Sequence, residues 1–316
     1  MLYWMVVVES KGLRGAMGAL IIAEFLALLI LVLKLSSRVA LAWRYAYVKK
    51  IVGFSAPLAI SSLLFIVFAN LDRVVLSRYV SLGDLGVYGV GFIVGNITAL
   101  VVTANNSSYS PRLLKVMKAE GDEAARSISV YFMKDTLALI GLIVGCLTVF
   151  SDLLVLFLGG KATSLNASLV VLGIASGHLA RSQYLFYWHS LFSKNRTGLI
   201  LLLNFLLLGI GFGVAHFLAW KGGVKAVAFM SLVSHIAIIP LAFYLAKQRF
   251  YIPIHIQSAL KILLFVFFLL IAELYLDNAG RVFLSIEFWT VKLVEIAVIA
   301  VLYWNYCVSF CRKIIS

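Results

Sequence analysis

The chain has 316 residues, of which 63% are hydrophobic and only 13% are charged, and its mean hydropathy is +1.05. Soluble globular domains are about 45–50% apolar and about 25% charged, and monomers avoid large exposed apolar patches. The composition therefore excludes a soluble catalytic domain and predicts an integral membrane protein. The net charge of +14 is better explained by basic loops on one membrane face than by nucleic-acid binding.

Nine apolar stretches are long enough to cross a bilayer, which takes a helix of about 20 apolar residues. Lipid does not tolerate unpaired backbone groups, and no alternation typical of a barrel is visible, so we expect helices. The prediction is an all-α integral membrane protein with about nine transmembrane helices. The predicted spans cover residues 15–35, 51–71, 85–105, 136–158, 167–190, 198–219, 226–246, 259–276 and 285–308.

The loops between these spans indicate an orientation. The segment 36–50 contains no acid and four basic residues, Arg38, Arg44, Lys49 and Lys50, which is typical of a cytoplasmic loop. Counted from there, the predicted cytoplasmic segments hold about twice as many basic residues as the opposite segments. Nine spans then place the C-terminus in the cytoplasm and the N-terminus outside, which suggests that the natural protein begins earlier.

The longest predicted loop covers residues 106–135. Ser110 and Pro111 form a typical cap and first-turn pair. The sequence therefore predicts a short helix at 112–118 that lies in the membrane interface, where its basic face meets lipid head groups.

Two motifs surround the predicted loop after the second span. This span has an early Pro57, and it ends in an Asn-x-Asp-Arg-x-x-Leu motif made by Asn70, Asp72, Arg73 and Leu76. A short outer loop follows, and then Leu85, Gly86 and Tyr88 make a Leu-Gly-x-Tyr motif. This order resembles the start of the second lobe of polysaccharide flippases, which belong to the multidrug/oligosaccharidyl-lipid/polysaccharide exporter superfamily and include O-antigen and teichuronic-acid exporters.

The resemblance implies an architecture. The nine spans look like helices six to fourteen of a fourteen-helix, two-lobe transporter, so that helices one to five have no counterpart in the chain. Residues 1–50 would be the last helix of the first lobe and a cytoplasmic linker, residues 51–250 the second lobe with six helices, and residues 251–316 two additional helices. In this family, Pro57, Asn70, Asp72, Gly86 and Tyr88 belong to the structural motif.

The resemblance also implies a function. A member would flip a polyprenyl-pyrophosphate-linked oligosaccharide across the bacterial cytoplasmic (inner) membrane, for O-antigen, lipopolysaccharide or other surface polysaccharide biosynthesis. Its partners would be this lipid-linked oligosaccharide, membrane lipids and other polysaccharide assembly proteins. The alternative is a drug/cation antiporter of the same superfamily, which needs buried carboxylates. No phosphate-binding loop, metal cluster or nucleophile motif is visible in the sequence, so we expect no enzyme, cofactor or metal.

Arg181 is the first candidate for substrate binding. A buried Arg costs about 2.5–3.5 kcal/mol on insertion scales and usually faces a water-filled cavity, where a guanidinium can grip a pyrophosphate. His178 and Gln183 lie close by in sequence. The alternatives are that Arg181 extends toward the cytoplasm or pairs within the bundle. Arg73 is a further substrate-binding candidate, although an ion pair or capping role with Asp72 is the favoured interpretation.

Other polar residues lie within predicted spans. Glu24 and His235 are candidates for ion coupling, with hydrogen bonding between helices as the alternative. Asn70 is expected to bond a neighbouring helix. In the last two spans, Lys292 and Glu295 are three residues apart and are expected to pair, while Glu273 is expected to reach water at a helix end.

Overall fold

A computed structural model of the chain describes residues 12–36, 45–159, 161–247, 252, 256–278 and 286–315. These residues form helices joined by short connections and include no strand, which confirms the all-α prediction. The helices are α1 (Gly12–Ser36), α2 (Tyr45–Leu76), α3 (Leu82–Gly95), α4 (Ile97–Ala119), α5 (Asp122–Val149), α6 (Ser151–Gly159), α7 (Lys161–Ser193), α8 (Thr197–Val227), α9 (Met230–Lys247), α10 (Ile256–Asn278) and α11 (Ile286–Ile315).

The chain divides into two compact units, Met1–Val52 and Gly53–Ser316. The first unit contains α1 and the start of α2. The second contains the rest of α2 and all later helices, and every cavity described below belongs to it. The predicted domain boundaries near residues 50 and 250 stay predictions. Residues 1–11 and 37–44 of the predicted first segment, and the C-terminal Ser316 whose cytoplasmic position was predicted, lie outside the described residues.

Several helices are long and apolar enough to cross a membrane, so the chain is a multi-pass membrane protein. Within the described residues six stretches meet this criterion: Met17–Leu35, Tyr47–Leu76, Leu82–Ala119, Asp122–Val149, Thr197–Val227 and Met230–Lys247. The predicted spans at 167–190, 259–276 and 285–308 coincide with α7, α10 and α11. The count of nine and the correspondence to a fourteen-helix transporter stay predictions.

The middle of the second unit is occupied by α7, which packs against α3, α4, α5, α6, α8, α9 and α10. Its buried residues include polar ones, namely Ser168, Ser176, Ser182, His189 and Ser190. A helix that meets other helices on most sides can satisfy such groups with protein partners. This explains why α7 is less apolar than its neighbours other than α4.

The predicted loop at 106–135 is wrong. Helix α4 continues to Ala119 and α5 begins at Asp122, after a turn in which Gly121 has a φ of 89°. Pro111 lies inside α4, so it does not begin a separate interfacial helix. The polar run before Pro111 resembled a loop because its partners are distant in sequence: the Asn105 amide donates to the Thr136 hydroxyl on α5 at 2.5 Å.

Two further predicted elements are interrupted. The predicted span 136–158 is divided at Phe150, where α5 ends and α6 begins, and the predicted span 85–105 is divided at Asn96 between α3 and α4.

Helix α8 contains a kink at Gly223, where φ is 55° and ψ is −138°. Only glycine adopts this conformation without strain.

Candidate functional site

Arg181 lies between two cavities of the second unit, and its side chain lines both. The larger cavity has a volume of about 290 Å³, and its polar and aromatic lining comes from α2, α4, α7 and α8: Ser61, Ser62, Phe65, Asn106, Arg181, Tyr184, Trp188 and Asn204. The smaller cavity has a volume of about 120 Å³, and its lining includes Phe65, Asp72, Phe92, Asn96, His178, Arg181, Ser231 and His235. Arg181 and Phe65 are common to both linings.

The guanidinium of Arg181 is held by an aromatic ring. Its central carbon lies 4.3 Å from the centroid of the Phe65 ring, a cation–π distance that leaves the guanidinium edges available. The Nε atom is buried and has no hydrogen-bond partner within the described part of the chain. Buried polar atoms are normally paired, so this nitrogen can still donate to a ligand.

Two histidines on the smaller cavity also keep one nitrogen unpartnered. His178 Nε2 is 3.0 Å from Asn96 Oδ1, and His235 Nδ1 is 2.8 Å from the carbonyl oxygen of Ser231. These oxygens accept, so in the neutral rings the proton sits on the bonded nitrogen. Among the described residues, the opposite nitrogens, His178 Nδ1 and His235 Nε2, have no partner. They accept from a hydroxyl when the ring is neutral and donate to an anion when it is protonated.

Asp72 of the Asp-Arg motif lines the smaller cavity. The buried carboxylate of Asp72 accepts a hydrogen bond from the Tyr88 hydroxyl and another, 2.7 Å long, from the backbone amide of Arg73. The Arg73 guanidinium lies 4.0 Å from the centroid of the Phe92 ring, and its Nε is 3.9 Å from Asp72 Oδ1. The two motifs that carry the family resemblance are therefore joined by one hydrogen bond between α2 and α3.

The larger cavity has a wall of amides and hydroxyls. Asn204 on α8 accepts from the Tyr184 hydroxyl at 2.9 Å and donates to the Ser61 hydroxyl, which connects α7, α8 and α2. Asn106 Oδ1 is 2.6 Å from His189 Nε2. Trp188 stacks on Phe192 with ring centroids 5.2 Å apart. Such a wall offers both hydrogen bonds and an aromatic face to a polar ligand.

The structure brings together three of the predicted site residues, Arg181, His178 and His235. Arg73 is adjacent to this group, through Asp72 and Phe92. Gln183 does not line either cavity; its side chain donates to the Ser182 hydroxyl at 3.2 Å. Glu24 lies on α1 in the first unit, with its side chain exposed.

The structural-motif residues have different surroundings. The expectation that Asn70 bonds a neighbouring helix is wrong: its side chain is exposed and donates to the Ile66 carbonyl of its own helix at 2.8 Å. Pro57 lies inside α2, and Gly86 is exposed with open space around its α-carbon.

Sequence reasoning missed the larger cavity. Its α7 contributions, Arg181, Tyr184, Leu185 and Trp188, recur at intervals of three and four residues, which places them on one helix face. This periodicity is visible in the sequence and could have extended the Arg181 site. The contributions of Ser61 and Asn204 could not be found this way, because they depend on which helices are neighbours.

A family model described as polysaccharide biosynthesis protein matches residues 6–163, which reach from the first residues through α6. The match includes Asp72, Arg73 and Tyr88, and it ends before the part of α7 that carries Arg181. No curated protein and no solved structure matches the chain significantly.

Proposed function

The chain belongs to the polysaccharide biosynthesis protein family, and from this premise we propose that it flips a polyprenyl-pyrophosphate-linked oligosaccharide across a membrane. The proposal is a transport step without chemistry, in which the polyprenyl tail stays in lipid while the polar head passes through the bundle. The product would serve the synthesis of a surface polysaccharide such as O-antigen, lipopolysaccharide or a related polymer.

One observation carries this proposal: the Arg181 guanidinium lies between two cavities, and its buried Nε has no hydrogen-bond partner in the described part of the chain. A guanidinium and a pyrophosphate form paired, charge-assisted hydrogen bonds, which are stronger than neutral ones. His178 and His235 add two further nitrogens on the smaller cavity. We assign the pyrophosphate to Arg181 and to these histidines in their protonated form, and the adjoining sugar to the amides and hydroxyls of the larger cavity.

The proposed location is the bacterial cytoplasmic membrane, with the C-terminus in the cytoplasm. Ion pairs between helix ends support the alternation of loops on which this orientation depends. Lys194 pairs with Asp122 at 2.7 Å. The alternation of spans places both in the cytoplasm, Asp122 between the third and fourth predicted spans and Lys194 between the fifth and sixth. Lys225 pairs with Asp277 at 2.6 Å, and both come from segments that were predicted to lie outside. Other polysaccharide assembly proteins remain proposed partners.

The drug/cation antiporter is the second candidate, and one observation favours it. The sequence placed Asp72 at a helix end, but in the structure this carboxylate is buried and lines the smaller cavity. An antiporter would use it to exchange a proton or sodium for a cation. In that case Asp72→Asn would abolish efflux of a cationic dye, whereas a flippase would transport no such dye.

The test replaces Arg181 in the purified chain and measures binding of a polyprenyl pyrophosphate in detergent, through the fluorescence of tryptophans such as Trp188. We expect Arg181→Ala to weaken binding at least about tenfold, which corresponds to about 1.4 kcal/mol. Arg181→Lys should lose less, because it keeps the charge without the paired geometry. Arg78→Ala, which removes the same charge from an exposed position, is the control. Equal affinities of the wild-type and Arg181→Ala chains would refute the assignment.

A further inference from the structure

A second group of buried charged residues lies apart from the two cavities. Lys292 and Glu295 on α11, Glu273 on α10 and Asp152 on α6 are all nearly inaccessible, with exposures of 2%, 0%, 0% and 6%. The Lys292 ammonium is 2.6 Å from Glu273 Oε1, 3.2 Å from Glu295 Oε2 and 3.7 Å from Asp152 Oδ2. The expectation that Glu273 reaches water is therefore wrong, since it faces Lys292 inside the bundle.

The Lys292 ammonium does not contact the three carboxylates in the same way. The ammonium donates hydrogen bonds to Glu273 Oε1 and, at 3.3 Å, to the backbone carbonyl of Thr148 on α5. Glu295 lies within ion-pair distance, as predicted from its spacing. Neither of its carboxyl oxygens has a hydrogen-bond partner in the residues that the structure describes.

An ionised carboxylate at Glu295 is unfavourable in free energy, because it is buried inside the bundle. An ionised group removed from water costs several kcal/mol unless a counter-charge and hydrogen bonds replace its hydration. Around Glu295 the described titratable groups are Lys292 on its own helix, Glu273 on α10 and Asp152 on α6, while α5 contributes only a carbonyl. Two of these groups are acids, and repulsion from them adds to the cost. A bound proton removes both costs.

We propose that Glu295 is a proton-binding site, whose carboxyl carries an exchangeable proton between α5, α6, α10 and α11. Proton loss adds a negative charge next to Lys292 and changes the attraction between α11 and the helices it contacts. Ionisable groups inside a bundle are typical of proton pathways in membrane transporters. We assign this proton to the energy coupling of transport, a step that rests on the proposed function, whereas the proton site itself does not.

The proton site is tested by labelling the purified full chain with dicyclohexylcarbodiimide, a lipid-soluble reagent that modifies protonated carboxyls. Mass spectrometry should show modification of Glu295 that decreases as the pH is raised, and none of Glu287, an exposed glutamate in the first turn of the same helix. Lys292→Met should extend the modification to more alkaline pH, because the anion loses its cation. The proton site would be overturned if Glu295 were unmodified at every pH and if the infrared band of a protonated carboxyl were unchanged in Glu295→Gln.

Infrared spectroscopy covers the case in which the reagent does not reach Glu295. The carbonyl band of a protonated carboxyl should disappear in Glu295→Gln and persist in the matched Glu287→Gln variant. A band that is unchanged in Glu295→Gln would contradict the proposal.

Coupling is tested in proteoliposomes that contain a polyprenyl-pyrophosphate oligosaccharide. A pH gradient should accelerate translocation by the wild-type and Glu287→Gln chains but not by Glu295→Gln. Equal acceleration of all three would overturn the coupling role. Absence of translocation by the wild-type chain would instead contradict the proposed function, so the two failures are distinguishable.

Discussion

At the scale of single residues, the contact between Asp72 and Tyr88 has the clearest energetic consequence. The carboxylate is 5% exposed and the tyrosine is completely buried, so the hydrogen bond between them is shielded from water. Buried charge-assisted bonds are stronger than exposed ones, and their loss leaves an unsatisfied charge. Asp72 also lines the smaller cavity, so this bond contributes to the shape of the site.

Tyr88→Phe removes the hydroxyl and leaves the ring in place. We expect the free energy of unfolding to fall by about 1.5–3 kcal/mol, the usual contribution of a hydrogen bond to a charged group. Thermal unfolding in detergent micelles measures this change. Tyr79→Phe is the matched control, because Tyr79 is exposed and should change stability by less than about 0.5 kcal/mol. Equal effects of both substitutions would show that the Asp72 contact contributes nothing.

The residues of the candidate site differ in how far sequence could predict them. Arg181 is conspicuous because an arginine within an apolar span is costly, and the structure places it on both cavities. Phe65 and Asn204 are ordinary residues of apolar helices, and their role arises only because α2 and α8 lie next to α7. Gln183 is only two residues from Arg181 in sequence, but helix residues at this spacing face different directions, and it lines neither cavity.

At the scale of helices, pairs of glycines four residues apart mark close contacts within the second unit. They are Gly91 and Gly95 on α3, Gly141 and Gly145 on α5, and Gly173 and Gly177 on α7. A β-carbon at any of these positions would lie within 3.0 Å of an atom in another helix or turn. Small residues let helices approach closely where lipid gives no hydrophobic drive for association. The pairs on α3 and α7 therefore set the spacing around α7, whereas the pair on α5 faces side chains of α10 and α11.

Gly173→Ala tests this spacing. The added methyl would lie 2.7 Å from Ala228 Cβ and 2.8 Å from its carbonyl carbon, and backbone atoms cannot move aside as a flexible side chain can. We expect a loss of stability of about 1–3 kcal/mol, typical of overpacking, seen as a lower unfolding temperature in micelles.

The matched control is Gly213→Ala on α8, where a methyl meets nothing within 4 Å. This variant should be neutral or more stable, because alanine favours a helix over glycine by about 0.5–1 kcal/mol. If Gly173→Ala were as stable as Gly213→Ala, the helices would not be in close contact at this position.

At the scale of the whole molecule, α8 offers a direct test of sidedness. Arg196 immediately precedes it, and Lys221 lies near its C-terminal end; both side chains are exposed. If α8 crosses the membrane in the proposed direction, Arg196 is cytoplasmic and Lys221 is outside.

Single cysteines at these positions, in a background that lacks Cys146, Cys307 and Cys311, can be labelled in intact cells with a maleimide that does not cross membranes. We expect Lys221→Cys to react and Arg196→Cys to react only after the cells are opened. Labelling of both in intact cells would mean that α8 does not cross, and the reverse pattern would invert the orientation.

Composition and hydropathy are enough to identify an all-α membrane protein, because in lipid each helix must satisfy its own backbone, and the length of an apolar stretch can be read without knowing its neighbours. The sequence also identified Arg181, since the cost of a charge in an apolar span needs no knowledge of neighbours. Three features required knowledge of the helix packing: the polar run at 105–108 belongs to a helix, Glu273 faces Lys292, and Arg181 lies between two cavities. Each of these depends on pairings between helices far apart in sequence, which hydropathy does not encode.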